Sequence, residues 1–383
     1  MTSAPAAPLR LLHLHSTFGP GGKERRSVDL VNRFGSGIEH AVVSAEPKAL
    51  GAAQFVRPDI TLELLRDFPA LAGKLSVRRL QTIAQAMRGY DLLLSYNWGA
   101  MDAVMAHAIF ARHYRLPPLV HHEDGFNADE AGGLKPTRNW YRRVALSRAA
   151  YIIVPSQRLE AIALSAWAQP VAKVRRIPNG IDTKAYGAKA RADALPRVIK
   201  RQGERWMGTL AGLRPVKNLR RMVRAMVRLP PEWQLVILGE GPEREAILAE
   251  ALALDIGHRV HLPGHVADPA KAIALFDIFA LSSDSEQFPL SVVEAMAAGL
   301  AVVSPAVGDV AAIVSEENRR FVTGPGDEAA FGSALAALAG DEALRRRIGA
   351  ANQIRARAEF DAARMVERYR DVYARALGRP AFP

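Results

Sequence analysis

Cysteine is absent from the 383 residues, which excludes disulfide staples, thiolate-bound zinc and a thiol nucleophile, and is compatible with a reducing compartment. Nowhere do about 18 apolar residues run without a charge, so no membrane-spanning helix is read. The stretch Met1 to Pro8 is small and broken by proline, and the apolar run behind it carries Arg10, His13 and His15, which does not read as a signal peptide. An Asp-x-Asp pair at a strand end is missing too, since Asp284-Ser285-Glu286 only loosely resembles one, and this argues against a metal-bound diphosphate site of that kind. There is no tandem repeat and no low-complexity tract. A nucleic-acid partner is not expected, for want of a basic stripe interleaved with aromatics, a helix-turn-helix or a zinc pattern.

What is present is an ordinary globular composition, 49% hydrophobic and 23% charged, long enough for about two domains. The formal net charge of +12 and the isoelectric point near 10.1 favour anionic partners such as nucleotide phosphates or an acidic membrane face. An arginine-rich composition without special purpose explains the charge equally well.

Short β-branched or leucine-rich runs at 9–15, 40–45, 91–95, 119–122 and 151–155 alternate with helical patterns at 23–34, 78–88, 101–113 and 137–149. Parallel strands need such crossovers, so the expected fold class is α/β, a doubly wound sheet. A polar stretch at 183–204 reads as a linker. A second alternation follows, with strands at 206–211, 234–238, 260–262, 278–281 and 301–304 and helices at 218–229, 243–254, 269–276, 290–298 and 328–339. The charged helical tail at 344–377 is longer than that sheet needs.

The strongest chemical signal is Ser282-Ser283-Asp284-Ser285-Glu286-Gln287-Phe288-Pro289-Leu290, followed by Glu294 and Ala295-Met296-Ala297-Ala298-Gly299. A strand ends near Ser283, and Pro289 suits the first turn of a helix whose free amides point back into the loop. Such an end favours a phosphate or carboxylate, and the two glutamates suit sugar and ribose hydroxyls as hydrogen-bond donors. Gly212-Leu213-Arg214-Pro215-Val216-Lys217-Asn218 also follows a strand and opens a helix. Arg214 and Lys217 there place two fixed cations where charge builds on a departing diphosphate, which makes a metal unnecessary.

Glu286, seven intervening residues and Glu294 resemble the signature of family 4 of the glycosyltransferases, retaining enzymes of the GT-B fold. The resemblance extends to Gly19-Pro20-Gly21-Gly22, 177–182, 212–218 and 238–242. It implies two Rossmann-like domains facing across a cleft: an acceptor domain over 1–182, a linker over 183–204, a donor domain over 205–355 and a helix over 356–383 returning to the first. Closure of the two about Asn179-Gly180 is expected. The resemblance further implies that Glu294 holds the ribose, that Glu286 with the amides of Gln287, Phe288, Pro289 and Leu290 holds the donor sugar, and that Gly21 and Gly22 touch donor phosphate and acceptor. The turns containing Gly241 and Val266 are placed to frame the base. The Gly19–Gly22 turn lacks the spacing of a dinucleotide fingerprint, which speaks against an oxidoreductase. A same-fold epimerase or a silent nucleotide-sugar sensor are the rival readings.

His121-His122-Glu123-Asp124 packs four titratable groups at a strand end, costly to bury without partners. The family's histidine position falls on Asp124 by count, or on His122 after a one-residue slip. His13 and His15 point to one strand face and read as satisfied core histidines, with acceptor contact as the alternative. The stretch from Lys135 to Arg148, with Arg138, Arg142 and Arg143 beside Trp140 and Tyr141, reads either as an ordinary surface helix or as a membrane interface. The expected partners are thus a UDP- or GDP-sugar, a glycan or lipid-linked sugar acceptor and an anionic membrane surface. The expected location is cytoplasmic, peripheral on the inner face of the membrane, with no cofactor and no metal.

Overall fold

The computed structural model describes residues 8–126, 130, 133–188, 194–195, 198–266 and 268–383. Strand β1 (Leu9–His15) is buried along both faces except at Arg10, the pattern of an interior strand covered by helices on either side. It pairs in parallel with β2 (Ile38–Ser44) and with β4 (Leu92–Tyr96). With β3 (Thr61–Leu64), β5 (Leu119–His122), β6 (Tyr151–Val154) and β7 (Val174–Arg176), the sheet order is β3-β2-β1-β4-β5-β6-β7. The chain therefore winds outward from β1, returns to its other side at β4 and winds out again. The reversal leaves an opening at the carboxyl ends of β1 and β4.

Alternate side chains feed two cores. Leu12, Leu14 and Leu93 join one; Leu11, Leu92 and Leu94 join the other, together with Met365, Val366, Tyr369, Val372 and Tyr373 from the last helix, Ala362–Ala376. That heptad-like spacing makes one apolar face of a helix otherwise rich in arginine. Residues Met1–Pro178 and Met365–Pro383 form this first compact unit.

The second unit, Asn179–Arg364, repeats the design with six parallel strands. They are β8 (Arg205–Leu210), β9 (Trp233–Leu238), β10 (Val260–Gly264), β11 (Ile278–Ala280), β12 (Ala301–Pro305) and β13 (Val322–Thr323), in the order β10-β9-β8-β11-β12-β13. Its switch point lies between β8 and β11. Leu235 and Ile237 face one core, Val236 and Leu238 the other.

The structure differs from the sequence reading at the margins. β3, β7 and β13 are short and only partly buried, so hydrophobic alternation does not announce them. The tail is two helices, Glu342–Glu359 and Ala362–Ala376, because the chain leaves helical geometry at Phe360 and Asp361 to pair with Ile181. The stretch 183–204 is more than a connection: it forms the helix Thr183–Tyr186 and buries Leu195 in a core of the second unit. Among the described residues no helix is long and apolar enough to cross a membrane.

Close approach of the loops after β8 and β9, next to the second switch point, depends on two glycines. A β-carbon at Gly239 (φ +149°) would lie 1.9 Å from the Ala211 carbonyl oxygen, and one at Gly241 (φ +155°) 2.4 Å from that of Leu213. Gly239→Ala is expected to cost about 2 kcal/mol or more of stability, by strain and by forcing the loops apart. Denaturant unfolding of the pure variant checks this; an unchanged midpoint would show that the loops yield freely.

Candidate active site

At the switch point of the second unit, the loop after β8 and the loop after β11 are bonded to each other. The Ser282 hydroxyl donates to the Lys217 carbonyl at 2.8 Å, and the Asp284 N–H to that of Val216 at 2.9 Å. The Asp284 carboxylate accepts from Asn218 Nδ2 at 3.0 Å and from Arg221 at 2.9 Å; Arg221, largely buried, also donates to the Ser282 carbonyl at 3.0 Å. Within this frame the Lys217 ammonium stands 2.5 Å from Glu286 Oε1, which accepts from the Ser283 hydroxyl at 2.7 Å. The pair is mostly withdrawn from water, with side-chain exposures of 17% and 13%. Screening is weak there, so the pair and any incoming phosphate interact strongly. Arg214 is exposed, and its guanidinium has no hydrogen bond or ion pair among the described residues.

Helix Leu290–Ala297 begins after Pro289, which carries no side-chain cap. The amides of Gln287, Phe288 and Leu290 donate no hydrogen bond to another described residue, so the helix start keeps its donors for an anion. On the same helix Glu294 is partly buried. Burial raises its pKa, and the Tyr186 hydroxyl, donating to Oε1 at 2.8 Å, works in the opposite direction. Gly241 lies against Leu213, and Gly264 accepts from the Gly239 N–H at 2.9 Å, which ties the ends of β9 and β10 together just before Val266. Lys217, Glu286, Gln287, Phe288, Leu290 and Glu294 thus share one switch-point region, with Arg214 at its open side.

In the first unit Gly21 precedes helix Gly22–Phe34. A β-carbon on Gly21 would lie 2.5 Å from Oε2 of the buried Glu24, whose Oε1 accepts from the Thr17 hydroxyl at 2.6 Å. A phosphate at this turn would meet a carboxylate, so the turn departs from a plain phosphate cradle.

Asp124 and His122 separate clearly. Both nitrogens of His122 are engaged, Nδ1 with the Ser95 carbonyl at 3.1 Å and Nε2 with the Tyr373 hydroxyl at 2.9 Å. The ring is fully buried and stacks on Tyr96, which leaves it no face for a substrate. Asp124 stands at the strand end with its N–H bonded to Asn97 Oδ1 at 2.7 Å. Its carboxylate is held in a two-armed pair by Arg26, one arm at 2.8 Å. Of the two alternatives only Asp124 keeps some exposure, 13% of its side chain, and it does so already paired. Its neighbour Glu123 is fully buried between His121 Nε2 at 3.7 Å and Arg142 Nε at 3.4 Å.

His13 and His15 are buried, as a core reading expects. His13 lies 2.9 Å from His40 Nδ1 and 3.2 Å from the Tyr96 hydroxyl, and His15 stacks on Tyr96 at 4.0 Å between centroids. Burial drives the pKa of His13 and of His122 well below the usual imidazole value, and that of His40 down to about 4.

The basic helix needs correction. Arg142 is fully buried, boxed by Trp98, Phe126 and Trp167 at 4.8 to 5.3 Å and donating to both oxygens of Glu130 at 3.3 and 3.2 Å. Arg138 also pairs with Glu130, at 3.0 Å, and the Tyr141 hydroxyl donates to Asp102 at 2.6 Å. Three arginines do not form one exposed surface. Sequence reasoning also passed over Arg26, Asn97 and Tyr186; Asn97 alone carries a local signal, an asparagine directly after a strand, a residue type that tolerates the positive φ it adopts. Among the described residues no group of three or more His, Asp or Glu side chains gathers as a metal-ligand set.

Residues 193–355 match the family model of glycosyl transferases group 1, and residues 20–185 that of glycosyltransferase family 4. N-acetyl-alpha-D-glucosaminyl L-malate synthase of Bacillus anthracis is 25% identical over 207 residues, 54% of each chain. GDP-mannose-dependent alpha-mannosyltransferase of Mycolicibacterium smegmatis is 30% identical over 261 residues, 63% of this chain and 64% of that one. The chain spans about half the length of the first curated relatives it matches. Among solved structures, Anabaena HepE in complex with UDP superposes with a TM-score of 0.78 at 22% identity, covering 96% of this chain and 100% of that one. At that identity the likeness speaks for the fold, which is GT-B.

The buried histidines generate a pH dependence. In the unfolded chain they take up protons near pH 6.5, whereas His13, His40 and His122 resist protonation in the fold. Stability present above pH 6.5 is therefore lost as the pH falls from there through about 4, the folded value of His40. Urea midpoints between pH 8 and 5 measure this, and a flat profile across that range contradicts it.

Proposed function

The chain belongs to family 4 of the glycosyltransferases, and from that premise we propose that it transfers a sugar, with retention, from a nucleoside diphosphate-sugar to an acceptor in polysaccharide or glycolipid synthesis. The observation that carries this reading is the Lys217–Glu286 pair, set at the switch point beside an uncapped helix start and one helix turn or two before Glu294. In this reading the diphosphate draws Lys217 away from Glu286, and the freed carboxylate accepts hydroxyls of the donor sugar. Arg214 joins Lys217 on the phosphates, and the amides of Gln287, Phe288 and Leu290 assist at the helix start. Glu294 takes the ribose, and the turns at Gly241 and Val266 frame the base. UDP and GDP are the two nucleotides to test first.

Charge on the leaving diphosphate is the largest electrostatic demand of such a reaction, and fixed cations meet it without reorganising. The acceptor hydroxyl attacks the sugar from the side the diphosphate leaves, and its proton passes to a phosphate oxygen. Asp124, already neutralised by Arg26, serves here as a hydrogen-bond acceptor for a sugar hydroxyl and not as a free base. Gly21, beside the Glu24 carboxylate, suits an acceptor hydroxyl better than a phosphate. For an acceptor carried on a lipid, the part of this helix that remains exposed is Trp140 (66% exposed) with Arg143 and Val144, not the three-arginine face.

Lys217→Ala is expected to lower turnover by about 10² or more with donor and acceptor in excess, because its contact strengthens as the diphosphate departs. A thermal melt like that of the parent shows that the fold survives, and Lys217→Met guards against a defect caused by the shorter side chain alone. Turnover unchanged in both variants removes the residue from the chemistry.

Activity is also expected to persist in excess EDTA, since Arg214 and Lys217 act where a divalent ion otherwise would. Complete loss restored by magnesium or manganese contradicts that role.

A further inference from the structure

Glu294 is the acid that the proposed function gives to the ribose, yet a glutamate has three side-chain torsions and its carboxylate must be held to read two hydroxyls. Among the described residues of the second unit, that carboxylate is bonded by Tyr186, whose hydroxyl donates to Oε1 at 2.8 Å. Oε2 makes no hydrogen bond to a described residue, and a carboxylate has about four acceptor directions, so capacity remains for both ribose hydroxyls.

Tyr186 is itself firmly placed. The helix Thr183–Tyr186 has four residues, too few to hold itself by its own hydrogen bonds. It is held from outside. Asp182 accepts from the amides of Lys184 and Ala185, both at 3.1 Å, and the Thr183 hydroxyl donates to Asp361 at 2.5 Å. The Ile181 N–H donates to Phe360 O at 3.0 Å, and its carbonyl accepts from Ala362 at 2.9 Å. The Tyr186 ring packs against the core formed by Val292, Val293 and their neighbours, so ring and hydroxyl are aimed together.

We infer that Tyr186 is a positioning residue for nucleotide recognition, holding the Glu294 carboxylate in the arrangement that accepts the ribose hydroxyls and thereby setting selectivity for ribose over deoxyribose. This rests on the ribose role proposed for Glu294. Freezing the acceptor before the nucleotide arrives removes part of the ordering cost from binding. Phenylalanine fills the same space and cannot donate, so the hydroxyl can be tested without disturbing the packing.

The experiment measures dissociation constants of UDP and 2′-deoxy-UDP, with GDP and 2′-deoxy-GDP alongside, for the full chain, Tyr186→Phe, Glu294→Gln and the double variant. The parent is expected to prefer the ribonucleotide by about ten-fold or more, the scale of a hydrogen bond to a charged group. Tyr186→Phe is expected to reduce that ratio by about three- to ten-fold, the ribonucleotide losing more affinity than the deoxy form, which keeps only its 3′-hydroxyl on Glu294. In the Glu294→Gln background the same replacement should change the ratio no further, which a merely structural role would not produce. A parent-like ratio in Tyr186→Phe, beside a collapsed ratio in Glu294→Gln, overturns the inference and leaves the ribose role of Glu294 standing. A parent-like ratio in Glu294→Gln, or a parent that binds neither nucleotide, overturns that role and the inference with it.

Discussion

A parallel sheet buried on both faces sends every connection over its surface and leaves one place where neighbouring loops diverge, the point where the chain reverses beside its first strand. In the second unit that place lies between β8 and β11, and the two loops there carry Lys217 and Glu286. Each loop is bonded to the other by Ser282 and Asp284, and glycines 239 and 241 admit the carbonyls of Ala211 and Leu213 at distances no other residue tolerates. The placement of the candidate donor groups follows from this constraint, since helix Leu290–Ala297 can point its free amides into the region only because the loop ahead of it is pinned.

Buried charge is given partners in both units, acids in several cases and backbone carbonyls for Arg259. Arg142 sits among three aromatic rings with Glu130 across its fork, and Arg26 clasps Asp124. Removing one member of such a pair is far more damaging than the pair's net contribution suggests, because the partner remains buried and uncompensated. Lys217–Glu286 belongs to the same class, with one difference that matters for chemistry: it borders an exposed cation and an uncapped helix end, so a ligand can take over one partner. The histidines of the first unit are the opposite case. Burial drives the pKa of His13 and His122 well below the usual imidazole value, so these two offer no charge to a substrate.

Reading the chain in order was enough for the α/β class, the strands from Leu9 to His15 and from Leu119 to His122, the loop positions of Arg214, Lys217 and Glu286, and the place of Glu294 inside the helix that follows. Hydrophobic period and the spacing of a loop before a helix are local properties, and local forces fix them. Which polar groups meet depends on how the folded chain brings distant segments together. Tyr186 bonds Glu294 across 108 residues and Arg26 clasps Asp124 across 98. His122 lies inside the core while Asp124, two residues on, keeps some exposure, and Arg142 turns inward from a helix whose composition suggests exposure. Nothing in a single chain read in order marks these pairings, because the partner that makes burial of a charge tolerable comes from another part of the sheet or another helix.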